Sequence, residues 1–493
     1  MDLILKIKER KKIILLTLLI SAVLLTVFIL QKTTNPFSKA NISSNIEAES
    51  GSLSGGASIQ SDNSASGNKY IKLTSGSGID GTSYYIDCSS GDDLKDGKSP
   101  DTAWKNLSKI NSLQLEPGDG VFLKRSTTCS DSIVLSKSGT RINPITLGAY
   151  GSGELPIIQS STNNTRIINI QGSYIAIENI YTKGIALSTE SGCDNNPKGY
   201  IVGFQLDDSS HHITLKNNKA TGNYAGIYIK SGSNNNKILY NTIENNTMMN
   251  PLDKGGDGDA GAFGVLIHGS DNEIAYNLFR GHDACSYDYD RDGSDVEIYG
   301  GSRNIIHHNK GSESDHFSEL GKNSTQSSND NIYSYNTFTS SLKDTVFLNT
   351  RGEGHTYGPI YNTKVYNNSV YLTGSESQGV VCSNCGSDIL TLRNNILWAQ
   401  WKSIYASTSF TESNNIYWKT GGNPFIQGFT ISSTSKTVDP HYVNAPGGNL
   451  HIQSSSPAVN SGSNESVTAG FTTDLDNNPV PNGSAPDIGA FEI

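Results

Sequence analysis

Nine short segments of this 493-residue chain place an asparagine in one local setting, after a few β-prone residues and usually before an apolar one. They are IENI with Asn179, LKNN with Asn218, LYNTI with Asn241, AYNLF with Asn277, HHNK with Asn309, SYNTF with Asn336, YNNSV with Asn368, RNNIL with Asn395 and SNNIY with Asn415. Successive asparagines lie 20 to 39 residues apart, within or near the period at which self-similarity marks a stacked repeat. A unit of that length cannot bury an apolar face alone, so neighbours must stack. Asparagine suits the place because it tolerates left-handed backbone at a tight turn, and stacked copies can hydrogen-bond amide to amide.

Between the asparagines run GIYIKSGSNN, GVLIHGSDN and DVEIYGGSRN, whose period is two. Ile227 and Ile229 are expected inside with Tyr228 and Lys230 outside; Val265, Ile267, Val296 and Ile298 are likewise inside, with Leu266 and His268 outward. The repeat and the alternation together predict an all-β chain of parallel β-helix coils. A β-sandwich is the competing reading of many short strands with abundant Gly, Asn and Ser, but sandwiches do not repeat one asparagine in one setting. The spacing resembles that of right-handed parallel β-helix proteins, whose coils carry loops at their corners. With 50 glycines, 3 methionines and 17% charged residues, the chain is poor in helix formers. A net charge of -10 argues against nucleic acid, which calls for a basic stripe. It leaves an anionic substrate open, since a bound cation can invert the local field.

Residues 13–30 are 18 uncharged residues behind the basic stretch KIKERKK, long enough to span a hydrocarbon core. The positive flank predicts a cytoplasmic tail (1–12), a membrane-spanning signal anchor (13–30), a polar linker (31–45) and everything beyond outside the cell. Cleavage near Ser38 and Ala40, giving a secreted protein, is the alternative. Six cysteines fit export and disulfides, with connectivity open; Cys382 and Cys385 of CSNC are expected to form a local bridge.

The stretch IEAESGSLSGGASIQSDNSASGNKYIKLTSG, within 46–79, resembles the opening strands of β-sandwich carbohydrate-binding modules. Residues 80–160, containing YYIDCSSGDDLKDGKSPDTAWKNLSKINSLQLEPGDGVFLKRSTTC, look like the N-terminal cap and first coils of exported β-helix proteins, with a short helix around Trp104, Leu107 and Ile110 covering the open end. The coils occupy 161–437. Residues 438–493, with VDPHYVNAPGGNLHIQSSSPAVNSGS and PDIGAFEI, resemble the end segment of bacterial β-helix proteins. A monomer is expected.

The densest cluster of functional groups is GHDACSYDYDRDGSDVEIYGG, residues 281–301. Asp288, Asp290, Asp292 and Gly293 have the D-x-D-x-D-G spacing in which alternate oxygens converge on Ca2+. The glutamate expected at the end of such a loop is Tyr299 instead, and Glu297 could supply the missing oxygens. The cation set is therefore Asp288, Asp290, Asp292, Asp295 and Glu297, with Glu319 from the next coil; a solvated acidic turn is the alternative. One coil on, HHNKGSESDHFSELGK brings Asp315, His316, Glu319 and Lys322 to the same face. This arrangement resembles the calcium-dependent pectate lyases of the β-helix kind, in which aspartates hold calcium and a lysine is the base. The resemblance implies an exported lyase of an acidic polysaccharide, with Lys322, Arg351 and Asp315 as catalytic residues and His282, Arg291, Tyr299 and His316 as substrate contacts. A glycoside hydrolase using two of Asp292, Asp295, Glu297 and Asp315, and a non-catalytic sugar-binding surface protein, are the other readings. GGDGDAG (255–261) reads as a flexible loop, the pairs His211/His212 and His307/His308 as structural, and Trp398, Trp401 and Trp418 as either sugar platforms or packing.

Overall fold

Strands of three to six residues recur from Ser83 to Gln427, and most of their Ile, Val, Leu and Phe side chains are buried. The computed structural model describes residues 57–61, 69–73, 81–160, 162–185, 193–428 and 430–493. The expected membrane span, the linker and most of the module-like stretch lie outside these residues. No helix among the described residues is long and apolar enough to cross a membrane. Two units are present, Met1–Gly78 and Ile79–Ile493. In the first, Ala57–Ser61 pairs antiparallel with Lys69–Leu73.

In the second unit each turn of chain from Gly120 to Gln427 gives one strand to each of three sheets, in fixed rotation. Thr214–Lys216, for example, joins the first sheet, Lys219–Thr221 the second and Ala225–Ile229 the third. The sheets hold 12, 11 and 11 strands, and neighbours such as Ala225–Ile229 and Phe263–Ile267 run parallel. This is a parallel β-helix. Ile227, Ile229, Val265, Ile267, Val296 and Ile298 lie in its interior, none more than 1% exposed.

Eight asparagines, from Asn218 to Asn415, form the expected ladder at the corner between the first and second sheets. The backbone N–H and side-chain amide of Asn277 both donate to Asn309 Oδ1 (2.9 and 3.0 Å), and its amide also donates to the Ile238 carbonyl (2.8 Å). The left-handed residue is the one before each rung: Asn217, Tyr240, Tyr276, His308, Tyr335, Asn367, Asn394 and Asn414 all have φ between 52° and 60°. Asn179 (φ 61°) belongs to that row, and Ile180 occupies the rung, its N–H donating to Asn218 Oδ1. The ladder therefore starts one coil later than the repeat suggested. Large residues tolerate left-handed backbone here because their rings stack along the axis, Tyr240 on Tyr276 at 4.8 Å and His308 on Tyr335 at 5.4 Å. A second ladder, Asn236, Asn272, Asn304 and Asn331, lies at the corner between the third and first sheets.

The first coil is covered by Trp104, Leu107 and Ile110, the last on the single-turn helix Ser108–Asn111. The segment after the coils does more than end them. It runs back along the left-handed corner, where Asn414, Asn394 and Asn367 donate to the carbonyls of Ser461, Ser463 and Asp487, and His308 Nε2 lies 3.1 Å from the Thr473 carbonyl. The pair His307/His308 is thereby structural. Trp398 packs against Tyr371 and Tyr442 beneath the same segment. Disulfides join Cys88 to Cys129, Cys193 to Cys285 and Cys382 to Cys385.

Candidate active site

On the outer face of the third sheet, parallel register places Leu266, Glu297, Glu319, Asn349 and Val381 in one row. Strand alternation turns these side chains outward while Val296, Ile298 and Leu320 turn in. Two carboxyl groups are thus register partners on adjacent coils, about 4.8 Å apart at the backbone. Long loops rise on both sides. Before the strands stand the loop 247–262 and the hairpin Ala284–Ser286/Asp290–Asp292, which Cys285 ties to Cys193. After them stands the loop 352–359. Together they enclose a cleft of about 860 Å³ whose lining includes Asp257, Asp292, Glu297, Asp315, His316, Glu319, Asp344, Arg351 and Tyr357.

The charges in the cleft are strongly coupled. Burial alone would raise the Glu319 carboxyl, but the Arg351 guanidinium, bonded to Glu319 Oε1, and His316 outweigh it and hold Glu319 below the usual range. Burial pushes Glu297 well up, and the Glu319 charge adds to it; the Ser294 hydroxyl donates to Glu297 Oε2 at 2.9 Å. Asp292 is also pushed well up, by burial and then by Glu319 and Asp315. His316 is raised to about 9, because Asp315 at 2.7 Å and Glu319 overcome its burial. The cleft therefore favours the charged form at Glu319 and His316 and the protonated form at Glu297 and Asp292.

The structure brings Asp292, Glu297, Asp315, His316, Glu319, Arg291, Tyr299 and Arg351 together in the cleft, in surroundings that bear on several of their expected roles. Arg351 is ion-paired with Glu319, its Nη1 donates to the Leu320 carbonyl at 2.6 Å, and its own affinity for the proton is raised, so it is no base. Lys322 does not line the cleft; its Nζ lies against the Asn323 carbonyl at 3.5 Å. His282, expected as a substrate contact, and Asp295, expected as a cation ligand, face the interior and are fully buried, and neither lines the cleft. The chain turns a corner at Asp295, which has no partner in the register between Ser294 and Val296, and alternation slips there. Ser314 donates to Asp295 Oδ1 at 2.6 Å beneath the sheet.

The six carboxyls read as a calcium set do not fit one ion. Asp295 points inward, Asp288 Oδ2 accepts the N–H groups of Gly258 and Asp259 (2.8 and 3.1 Å), Glu319 is held by Arg351, and Asp290 is exposed on the hairpin. Among the described residues no group of three or more His, Cys, Asp or Glu is placed to hold a metal.

Tyr224, Asp344, His355 and Tyr357 also line the cleft and carried no sequence signal, and Asp257 does so from the stretch 255–261 that read as a flexible loop. The loop 255–261 is built rather than loose. Asp259 accepts from Asp253 N–H, the Ser286 hydroxyl and Tyr287 N–H. Asp257 accepts from the Tyr289 hydroxyl at 2.6 Å and, from the far side of the cleft, from the Tyr357 hydroxyl at 3.3 Å.

No protein-family profile matches the chain. A curated relative, the lacto-N-biosidase of Bifidobacterium longum subsp. longum, is 29% identical over 154 residues, a match spanning 30% of this chain and 9% of that protein. Among solved structures, the GH136 lacto-N-biosidase from Eubacterium ramulus is similar with a TM-score of 0.53 at 16% identity, over 72% of this chain and 67% of that one. The pectate lyase Pel9A is similar with a TM-score of 0.52 at 15% identity, over 83% of this chain and 96% of that one. These likenesses establish the parallel β-helix fold.

Proposed function

We propose that the protein is a glycoside hydrolase whose cleft cuts a neutral glycan between Glu297 and Glu319. The carrying observation is the opposed protonation of two register partners, one carboxyl pushed up and one held down, which is how an acid and a nucleophile are told apart in such pairs. The short backbone spacing matches the close carboxyl pair of a double displacement. Glu297 gives its proton to the glycosidic oxygen as Glu319 attacks the anomeric carbon, the carbon–oxygen bond breaks, and the leaving sugar departs with its new hydroxyl. Water then enters, Glu297 takes one of its protons, and the ester to Glu319 is cleaved. Asp292, held neutral beside them, donates a hydrogen bond to the sugar.

The lining supports a neutral chain rather than the acidic one that the pectate lyase resemblance implied. Seven carboxyl residues face the cleft, no lysine does, and its two arginines are ion-paired with Asp283 and Glu319. A uronate would meet carboxylates. The partial likeness to the Bifidobacterium lacto-N-biosidase also supports hydrolysis of an oligosaccharide. The three disulfides support an oxidising compartment.

Digestion of a panel of neutral and acidic glycans tests the reading. New reducing ends without unsaturated uronate absorbance are expected from neutral members, with Glu319→Gln and Glu297→Gln each lowering kcat at least ~100-fold. Unsaturated uronate absorbance appearing on digestion would replace hydrolysis by elimination.

A further inference from the structure

The loop before the strand Phe263–Ile267 and the loop after the strand Val346–Arg351 belong to coils three apart in the third sheet. The two coils between them carry Glu297 and Glu319. Asp257 comes from the first loop and Tyr357 from the second. Their contact, 3.3 Å from the Tyr357 hydroxyl to Asp257 Oδ2, therefore crosses the carboxyl pair diagonally. Both ends of the crossing are braced. Asp257 Oδ1 accepts from the Tyr289 hydroxyl at 2.6 Å. The Tyr357 ring packs edge-on to Tyr299 at 6.3 Å and under the Arg351 guanidinium at 5.7 Å, and its N–H donates to His355 Nδ1 at 3.2 Å. All four bracing groups line the cleft with the carboxyls below.

We propose that Asp257 and Tyr357 form a strap that decides which part of a glycan the site accepts. A long chain cannot be laid sideways onto Glu297 and Glu319 beneath a closed crossing. Only a terminus can be fed under it, so the strap makes the site cut a fixed distance from a chain end. This rests on the hydrolase reading above and specifies its mode of attack. No hydrogen bond or ion pair joins Asp257 or Tyr357 to Glu297 or Glu319, so the strap can be released without removing the chemistry.

The test uses Tyr357→Phe, which deletes only the hydroxyl, and Asp257→Ala, which deletes its acceptor. The probes are neutral oligosaccharides of graded length, labelled with 2-aminobenzamide at the reducing end and prepared from the glycan that the panel identifies. Wild type is expected to accumulate one product size from the earliest time points. Both variants are expected to yield a spread of intermediate lengths and a several-fold higher rate on the longest probes. Identical product ladders from wild type and both variants would overturn the strap and leave hydrolysis standing. Mixed internal products from wild type would do the same. If neither wild type nor variants cut any panel member, the hydrolase reading falls and takes the strap with it. Activity appearing only in the variants supports the strap as a barrier.

Discussion

Arg351 controls the site without reacting in it. Its guanidinium is the main charge holding Glu319 ionised against burial. In the proposed mechanism the active form has Glu319 ionised and Glu297 protonated, so activity is expected to be lost as pH falls through the lowered Glu319 value and as it rises through the raised Glu297 value. Arg351→Met removes the charge that holds Glu319 down, so the acid limb of the kcat profile should move to higher pH while the basic limb moves less, and kcat at the optimum should fall. A profile with an unmoved acid limb would show that Glu319 is not the ionised partner. These residues were legible because acids at alternate strand positions must face outward, and consecutive coils bring them together. His282 and Asp295 were misplaced for a local reason. Alternation fails where a strand turns a corner, and the interior row that holds Gly264 in the preceding coil holds a buried aspartate here. The strap residues Asp257 and Tyr357 were not legible at all, since one hundred residues separate them and only loop conformation joins them.

The asparagine ladder is the element the repeat announces most clearly. Its one misreading, Asn179, is a one-residue shift from rung to left-handed position that two adjacent asparagines in LKNN, with Asn217 left-handed and Asn218 on the rung, make easy to miss. The rungs bear on stability. Asn277 takes part in five hydrogen bonds with the two adjacent coils: it donates to Asn309 and Ile238 and accepts from Asn241 N–H and amide at 2.9 Å. Asn277→Ala leaves buried donors and acceptors without partners and should cost about 3 kcal/mol, read as a lower urea midpoint with the slope unchanged. An unaltered midpoint would mean that the rung is dispensable. Calcium, expected from the D-x-D-x-D-G spacing, met a different element. The spacing folds as an antiparallel hairpin whose Asp288 binds backbone N–H groups of the neighbouring loop, so the motif supplies a cleft wall.

For the whole unit, the decisive contacts are those of residues 438–493 with coils far from them in sequence. Phe471 packs on His307 at 5.6 Å and Tyr335 at 6.1 Å, and Ala490 N–H donates to the Ser369 hydroxyl at 2.9 Å. Phe471→Ala should lower the melting temperature and expose the corner near Tyr335 to faster amide exchange, while the coils before Tyr276 keep their protection. Uniform loss along the unit would refute that division. A simple stack of repeats holds together only through nearest neighbours and frays from either end, one coil at a time. Here the return segment grips the coils from His308 to Asn414 at once, so that part of the rod must melt as a block, and a coil in its middle cannot open before the grip is released. The earlier coils retain the freedom to unzip singly, which gives one continuous fold two kinds of cooperativity.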